Sequence, residues 1–143
     1  MKKLLTVLAF LSICHCALSQ KEGIKGQVFW ISGDQLPGPG SQASPDQGTI
    51  REIFIYKAAT LNDVDQKDEF FFEIKTELIN KVTSAEDGSF KVKLPPGEYS
   101  LFTKEQKGLF ANVIDHNGCV SCVNVSPKRY SWVTITIDYE ATY

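Results

Sequence analysis

Ala85 to Lys104, AEDGSFKVKLPPGEYSLFTK, reads as turn, strand, tight turn, strand. Asp87-Gly88 marks a hairpin turn, since glycine takes positive φ without steric cost. Phe90, Val92 and Leu94 then alternate with Ser89, Lys91 and Lys93, which puts the apolar set on one face of a half-buried strand. Pro95-Pro96-Gly97 fits a type II turn, with φ fixed at Pro96 and glycine where φ must be positive. Tyr99 and Leu101 resume the inward face.

The same alternation extends in both directions. Towards the C-terminus, Leu109–Ile114 and Val120–Val125 read as strands. In Trp132–Tyr139, Val133, Ile135, Ile137 and Tyr139 alternate with Trp132, Thr134, Thr136 and Asp138. Towards the N-terminus, Thr76–Ser84 reads as a strand. Phe70–Val82 as a whole is ambiguous, because Phe70, Ile74, Leu78 and Val82 recur every four residues as in a helix, while Phe70, Phe72 and Ile74 alternate. Thr60–Glu69 is acidic and polar, hence loop. Ile50–Tyr56 is apolar on both faces near its centre, as expected of an inner strand covered on each side. Ser32–Gly48, rich in Gly, Pro, Ser and Asp, is a long loop of the kind that often carries function. Ile24–Ile31 opens the domain with Ile24, Val28 and Trp30 on one face. Seven or eight short strands and no convincing long helix define an all-β, antiparallel β-sandwich.

Residues 1–19 have the pattern of a secretory signal peptide. Lys2 and Lys3 precede the apolar run Leu4–Ile13, and Ala17-Leu18-Ser19 fits cleavage after Ser19. The apolar run is ten residues, short of the roughly 20 a spanning helix needs. Acylation at Cys14 or Cys16 is the rival, but Ile13 and His15 stand where a lipobox has a small residue. Residues 20–143 then form one domain in a periplasmic or secreted setting, not transmembrane. The chain holds 15 Lys and Arg against 17 Asp and Glu, and loss of Lys2 and Lys3 takes the net charge from −2 to −4. That balance argues against a nucleic-acid partner, whose phosphates call for a basic surface.

Ile24-x-Gly26-x-Val28, Asp87-Gly88-x-Phe90 and Leu94-Pro95-Pro96-Gly97-x-Tyr99-x-Leu101 together resemble the carboxypeptidase regulatory-like domains of secreted bacterial proteins. The resemblance covers roughly Gly23 to Tyr139. It implies the prealbumin-like (transthyretin-like) seven-stranded sandwich and a non-catalytic accessory or binding role, often beside a peptidase or an outer-membrane receptor. Ser32–Gly48 and Thr60–Glu69 are insertions against that pattern, where a specific role would sit.

Cys119-Val120-Ser121-Cys122 has three readings. In an oxidising compartment a local disulfide beside Asn117-Gly118 is the first. A redox-active pair would want a helix N-terminus, whereas the flanks read as strand and turn. A metal site could add His116, giving three ligands and an open position. Haem attachment is excluded by Val123, where a histidine is needed. A hydrolase would have to use His116 with Asp115, but neighbours on a strand point to opposite faces and no Gly-x-Ser-x-Gly elbow exists. Asp63 with Asp65 and Asp68 with Glu69 could serve a glycosidase or calcium, yet Asp68 stands where a calcium loop counted from Asp63 needs glycine. Gly38-Pro39-Gly40-Ser41 lacks the lysine and the N–H donors of a phosphate cradle. No catalytic residue and no cofactor are expected. Phe29, Trp30, Tyr130 and Trp132 could form a stacking platform, and Trp132, on a polar face, is expected to be exposed. Trp132, Pro37 and Pro39 are the binding-surface candidates, with a protein or carbohydrate of the cell envelope as partner. Edge-strand pairing in a structural or adhesion subunit is a further possibility, as is a small redox or metal-handling protein using Cys119, Cys122 and His116.

Overall fold

The structure, a computed structural model, describes residues 21–39 and 47–143. Residues 1–20, which hold the expected signal peptide with Cys14 and Cys16, and residues 40–46 of the expected long loop lie outside them. Eleven strands and one 3-10 turn follow in order: β1 Gly23–Asp34, β2 Gln47–Gly48, β3 Glu52–Lys57, the turn Leu61–Asp63, β4 Val64–Lys67, β5 Phe70–Ile74, β6 Leu78–Thr83, β7 Ser89–Lys93, β8 Gly97–Glu105, β9 Gly108–Phe110, β10 Cys122–Val125 and β11 Tyr130–Thr142.

Two sheets face each other as a β-sandwich. In the small sheet β1 lies between β11 on one side and β7 and β2 on the other. The large sheet runs β4-β5-β9-β8-β3-β6, with β10 also on β8. All ladders are antiparallel except that of β1 with β11, which is parallel. A parallel pair needs a long crossover, and here nearly the whole described chain separates the two strands.

The shared interior holds the inward faces that alternation predicts. Ile24 and Val28 of β1, Ile53 and Ile55 of β3, Phe90 and Val92 of β7, Leu94, Tyr99 and Leu101 around β8, and Ile137 of β11 are all buried there. One polar group joins this interior. Glu105 is 3% exposed and takes a forked contact from Arg51 Nε at 3.1 and 3.2 Å, plus the Tyr139 hydroxyl at 3.0 Å. Arg51 also lies 5.3 Å from the centre of the Trp30 ring.

Both turns of the Ala85–Lys104 segment carry the chain from one sheet to the other, so neither closes a hairpin. β6 belongs to the large sheet, β7 to the small and β8 to the large again. At the first corner Gly88 has φ of 82°, and a side chain there would collide with the Val28 carbonyl. Asp87 accepts the Ser89 N–H and hydroxyl at 3.0 and 2.6 Å. At the second, Gly97 has φ of 155°, not the roughly +80° of a type II turn. The corner is held instead by the Tyr99 hydroxyl on the Pro95 carbonyl at 2.6 Å.

Three expectations need correction. Thr60–Glu69 is a built element: a 3-10 turn, then β4, which folds back on β5 through Asp68 at φ 56°. The expected Ser32–Gly48 loop surrenders Ser32–Asp34 to β1 and its last two residues to β2. With β2, β4 and β5 added, the described residues hold eleven strands in the expected all-β sandwich, more than the seven or eight expected. The insertion has a packing role, since Val64 joins Ala59, Phe71, Phe102 and Val120 in a second apolar cluster on the far side of the large sheet. That cluster makes β8 buried on both faces: Tyr99, Leu101 and Thr103 on one, Ser100 and Phe102 on the other. Phe70–Val82 resolves into two strands, β5 and most of β6.

Candidate functional site

Alternation along β11 turns Val133, Ile135 and Ile137 inward and leaves Tyr130, Trp132, Thr134 and Thr136 on the outer face of the small sheet. Trp132 is 61% exposed in the first half of a thirteen-residue strand. Its cross-strand partner on β1 is Lys25, and the partner of Lys25 on β7 is Lys91. One row across three strands therefore reads Trp132, Lys25, Lys91. The next row reads Tyr130, Gly23, Lys93, and the Lys91 ammonium sits 4.4 Å from the centre of the Tyr130 ring. The row on the other side is Thr134, Gln27, Ser89. All these side chains share a face because register partners do.

The structure thus divides the four aromatics. Trp30 turns inward and packs edge-on against Tyr139 at 5.2 Å. Phe29 and Tyr130 are half-buried on the outer face, and only Trp132 is broadly exposed. Pro37 and Pro39 are exposed but are not part of this surface. They follow Asp34, which pairs with Thr142, and Gln35 N–H donates to the Thr142 carbonyl at 2.8 Å. Trp132 lies ten residues away along β11, roughly 30 Å at the rise of a strand.

Cys119 and Cys122 are joined by a disulfide with Cα atoms 5.8 Å apart. Cys119 N–H donates to Asp115 Oδ1 at 2.9 Å, and Asn117 N–H to the same oxygen at 2.8 Å. These backbone donors, that of Cys119 first, hold the Asp115 carboxyl below its usual range. The disulfide fixes the segment that carries Val120 into the second apolar cluster. Neither cysteine lies at a helix N-terminus. Among the described residues the carboxylate of Glu98, not the ring of His116, comes within 4.8 Å of both sulfurs. The set His116, Cys119, Cys122 is not brought together, and sulfurs in a disulfide offer no thiolate to a metal. His116 is exposed in the turn before Gly118.

The acidic pairs are also dispersed. Asp63 accepts the Thr60 N–H and hydroxyl, both at 2.9 Å, which lowers its pKa and closes the 3-10 turn. Asp65 lies 3.9 Å from Lys75, and Asp68 forms the β4–β5 turn. An apolar cleft of about 210 Å³ opens between the sheets beneath β11, lined by Leu101, Phe110, Val123, Val133 and Ile135 among others. The Asn112 amide reaches over its rim to the Thr136 carbonyl at 3.1 Å and Asp138 at 2.9 Å.

Sequence reasoning anticipated the exposure of Trp132 and did not place Lys25 and Lys91 in its row. Alternation already turned both lysines outward; only the register places them beside the tryptophan. Comparisons with protein families, with curated proteins and with solved structures return no match to this chain. Among the described residues no helix is long and apolar enough to cross a membrane.

Proposed function

We propose that this protein is an extracytoplasmic, non-catalytic β-sandwich that binds a component of the cell envelope on the outer face of its small sheet, with Trp132 at the centre. The observation that carries this reading is the tryptophan itself. A ring of that size left in water forgoes about 2–3 kcal/mol of burial, and burial against a partner recovers it. The leader-like N-terminus and the Cys119–Cys122 disulfide support an oxidising compartment. The resemblance to carboxypeptidase regulatory-like domains, which implies the prealbumin-like sandwich, supports an accessory role. Asp115, the one acid beside His116, spends its carboxylate on the backbone of its own turn, which weighs against a catalytic pairing.

Co-sedimentation with washed, insoluble envelope material tests the proposal. The wild-type protein is expected in the pellet and Trp132→Ala in the supernatant, with equal melting temperatures. Equal pelleting of both would remove this face from consideration.

A second reading, edge-strand pairing, rests on β11. Among the described residues this strand of thirteen residues pairs with β1 alone, which leaves its other edge as the place where a strand from another chain would add. Asn112 caps one of its carbonyls, which blunts that edge. Capture through the edge would be insensitive to Trp132→Ala and sensitive to Asn112→Ala, so the same assay separates the two.

A further inference from the structure

Resting on the reading that this face is the binding surface, we propose that its ligand is an acidic polysaccharide, with anionic groups spaced along a chain of sugar rings. Lys25 and Lys91 are direct register partners on one face, an arrangement in which like charges destabilise a sheet. Among the described residues the ion pairs fall on Arg51, Lys57, Lys75 and Lys81, and none reaches Lys25 or Lys91. Asp87, at the end of the Ser89 row, is engaged by Ser89. Asp138 is six residues along β11 from Trp132, roughly 20 Å at the rise of a strand. Local violations of good sheet chemistry concentrate where a surface has work to do. An anion lying over the row turns the repulsion into attraction.

Trp132 beside Lys25 decides which kind of anion fits. Its open ring offers a flat apolar face to the C–H face of a sugar, while the ammonium groups lie within roughly 10 Å, two strand spacings, for the sugar's acidic substituents. A nucleic acid would bring a dense, continuous line of phosphates to a protein whose balance of charge is negative. A membrane surface would need a broad apolar stripe, and the ring's neighbours here are Thr134, Lys25, Gln27 and the half-buried Tyr130, which the Lys91 ammonium covers.

Native electrophoresis of the purified protein through gels cast with polygalacturonate, phosphomannan or neutral hydroxyethylcellulose tests this. The wild-type protein is expected to be retarded by an acidic polymer and not by the neutral one, less so as salt is added. Trp132→Ala and the double variant Lys25→Gln/Lys91→Gln should each bind about tenfold more weakly, the first with an unchanged melting temperature and the second with one equal to or slightly above the wild type's, since it loses the repulsion. Retardation by neither acidic polymer overturns the proposal, as does binding of phosphatidylglycerol vesicles in their place. Retardation by the neutral polymer that Trp132→Ala abolishes and the lysine variant leaves intact overturns the acidic class alone, and the face stands as the binding surface. Retardation that no variant changes overturns both.

Discussion

Phe102 and Trp132 are both large aromatics on strand faces turned away from the sandwich interior, and they meet opposite fates. Phe102, on β8, is fully buried in a cluster with Ala59, Val64, Phe71 and Val120, with the Phe71 and Tyr56 rings edge-on at 5.3 and 5.7 Å. Trp132, on β11, is left broadly exposed among the described residues. The charges divide in the same way. Beside the covered cluster, Lys57, Lys75 and Lys81 of the large sheet each reach a carboxylate, at 3.2, 3.9 and 3.8 Å from Glu77, Asp65 and Glu52. On the small sheet Lys25 and Lys91 face each other. Where the chain covers the large sheet with its own segments, Phe102, Lys57, Lys75 and Lys81 find partners within the molecule. On the outer face of the small sheet Trp132 stands exposed and Lys25 shares a row with Lys91, whose ammonium rests on the Tyr130 ring, and the proposed partner would cover both.

The sharpest break in the comparison is Phe102→Ala. It should cost about 3–5 kcal/mol in urea unfolding, as a large-to-small change in a packed cluster does, whereas Trp132→Ala should stay within about 0.5 kcal/mol. Equal costs would mean that the two faces are not different in kind. Next is Glu105→Ala, which leaves Arg51 and the Tyr139 hydroxyl without their acceptor. Breaking a buried pair costs about 3–5 kcal/mol, and Arg51, 27% exposed, brings the expectation down to about 2–3 kcal/mol. Binding at the outer face should survive this change, since the pair lies between the sheets.

A pH series sharpens the same contrast. Burial, together with the hydrogen bond to Glu105 and its charge, pushes the Tyr139 phenol up to about 12 from the ordinary 10. A raised folded-state pKa contributes stability that is complete below about pH 10 and is lost as pH rises through about 12. Denaturation midpoints should therefore fall over that window, and Tyr139→Phe should remove part of the fall; a parallel decline in the variant would show that Tyr139 is not the group responsible. The smallest effect has the opposite sign. Lys25→Glu replaces a like-charged register partner with an opposite one and should stabilise the protein by about 0.2–1 kcal/mol. Lys81→Glu, on the large sheet, should destabilise by a similar amount because it turns the diagonal ion pair with Glu52 into a repulsion.

Much of this was legible in residue order. Phe90, Val92 and Leu94 against Ser89, Lys91 and Lys93 gave the burial of β7 directly, and the same period exposed Trp132, because alternation is local. What escaped depends on pairings far apart in the chain. Nothing near Ile24 or Trp132 announces that β1 and β11 run parallel, so the meeting of Lys25 with Trp132 could not be read. Asp87-Gly88 and Pro95-Pro96-Gly97 were recognisable as turns, but turn residues fix local backbone and not which sheet the next strand joins. The acidic run Thr60–Glu69 reads as loop because Asp63, Asp65, Asp68 and Glu69 dominate it; of its two apolar residues Leu61 is exposed and Val64 alone supplies the anchor, which makes no pattern. His116 was grouped with the cysteines by spacing, and the chain reversal at Gly118 leaves Glu98, from another strand, beside them.

The most direct test pairs two readings on Lys25→Glu, its melting temperature and its retardation in an acidic-polysaccharide gel. A face kept for binding at the expense of sheet stability predicts a variant that melts higher and no longer binds. A variant that melts lower, or one retarded as strongly as the wild type, would contradict it.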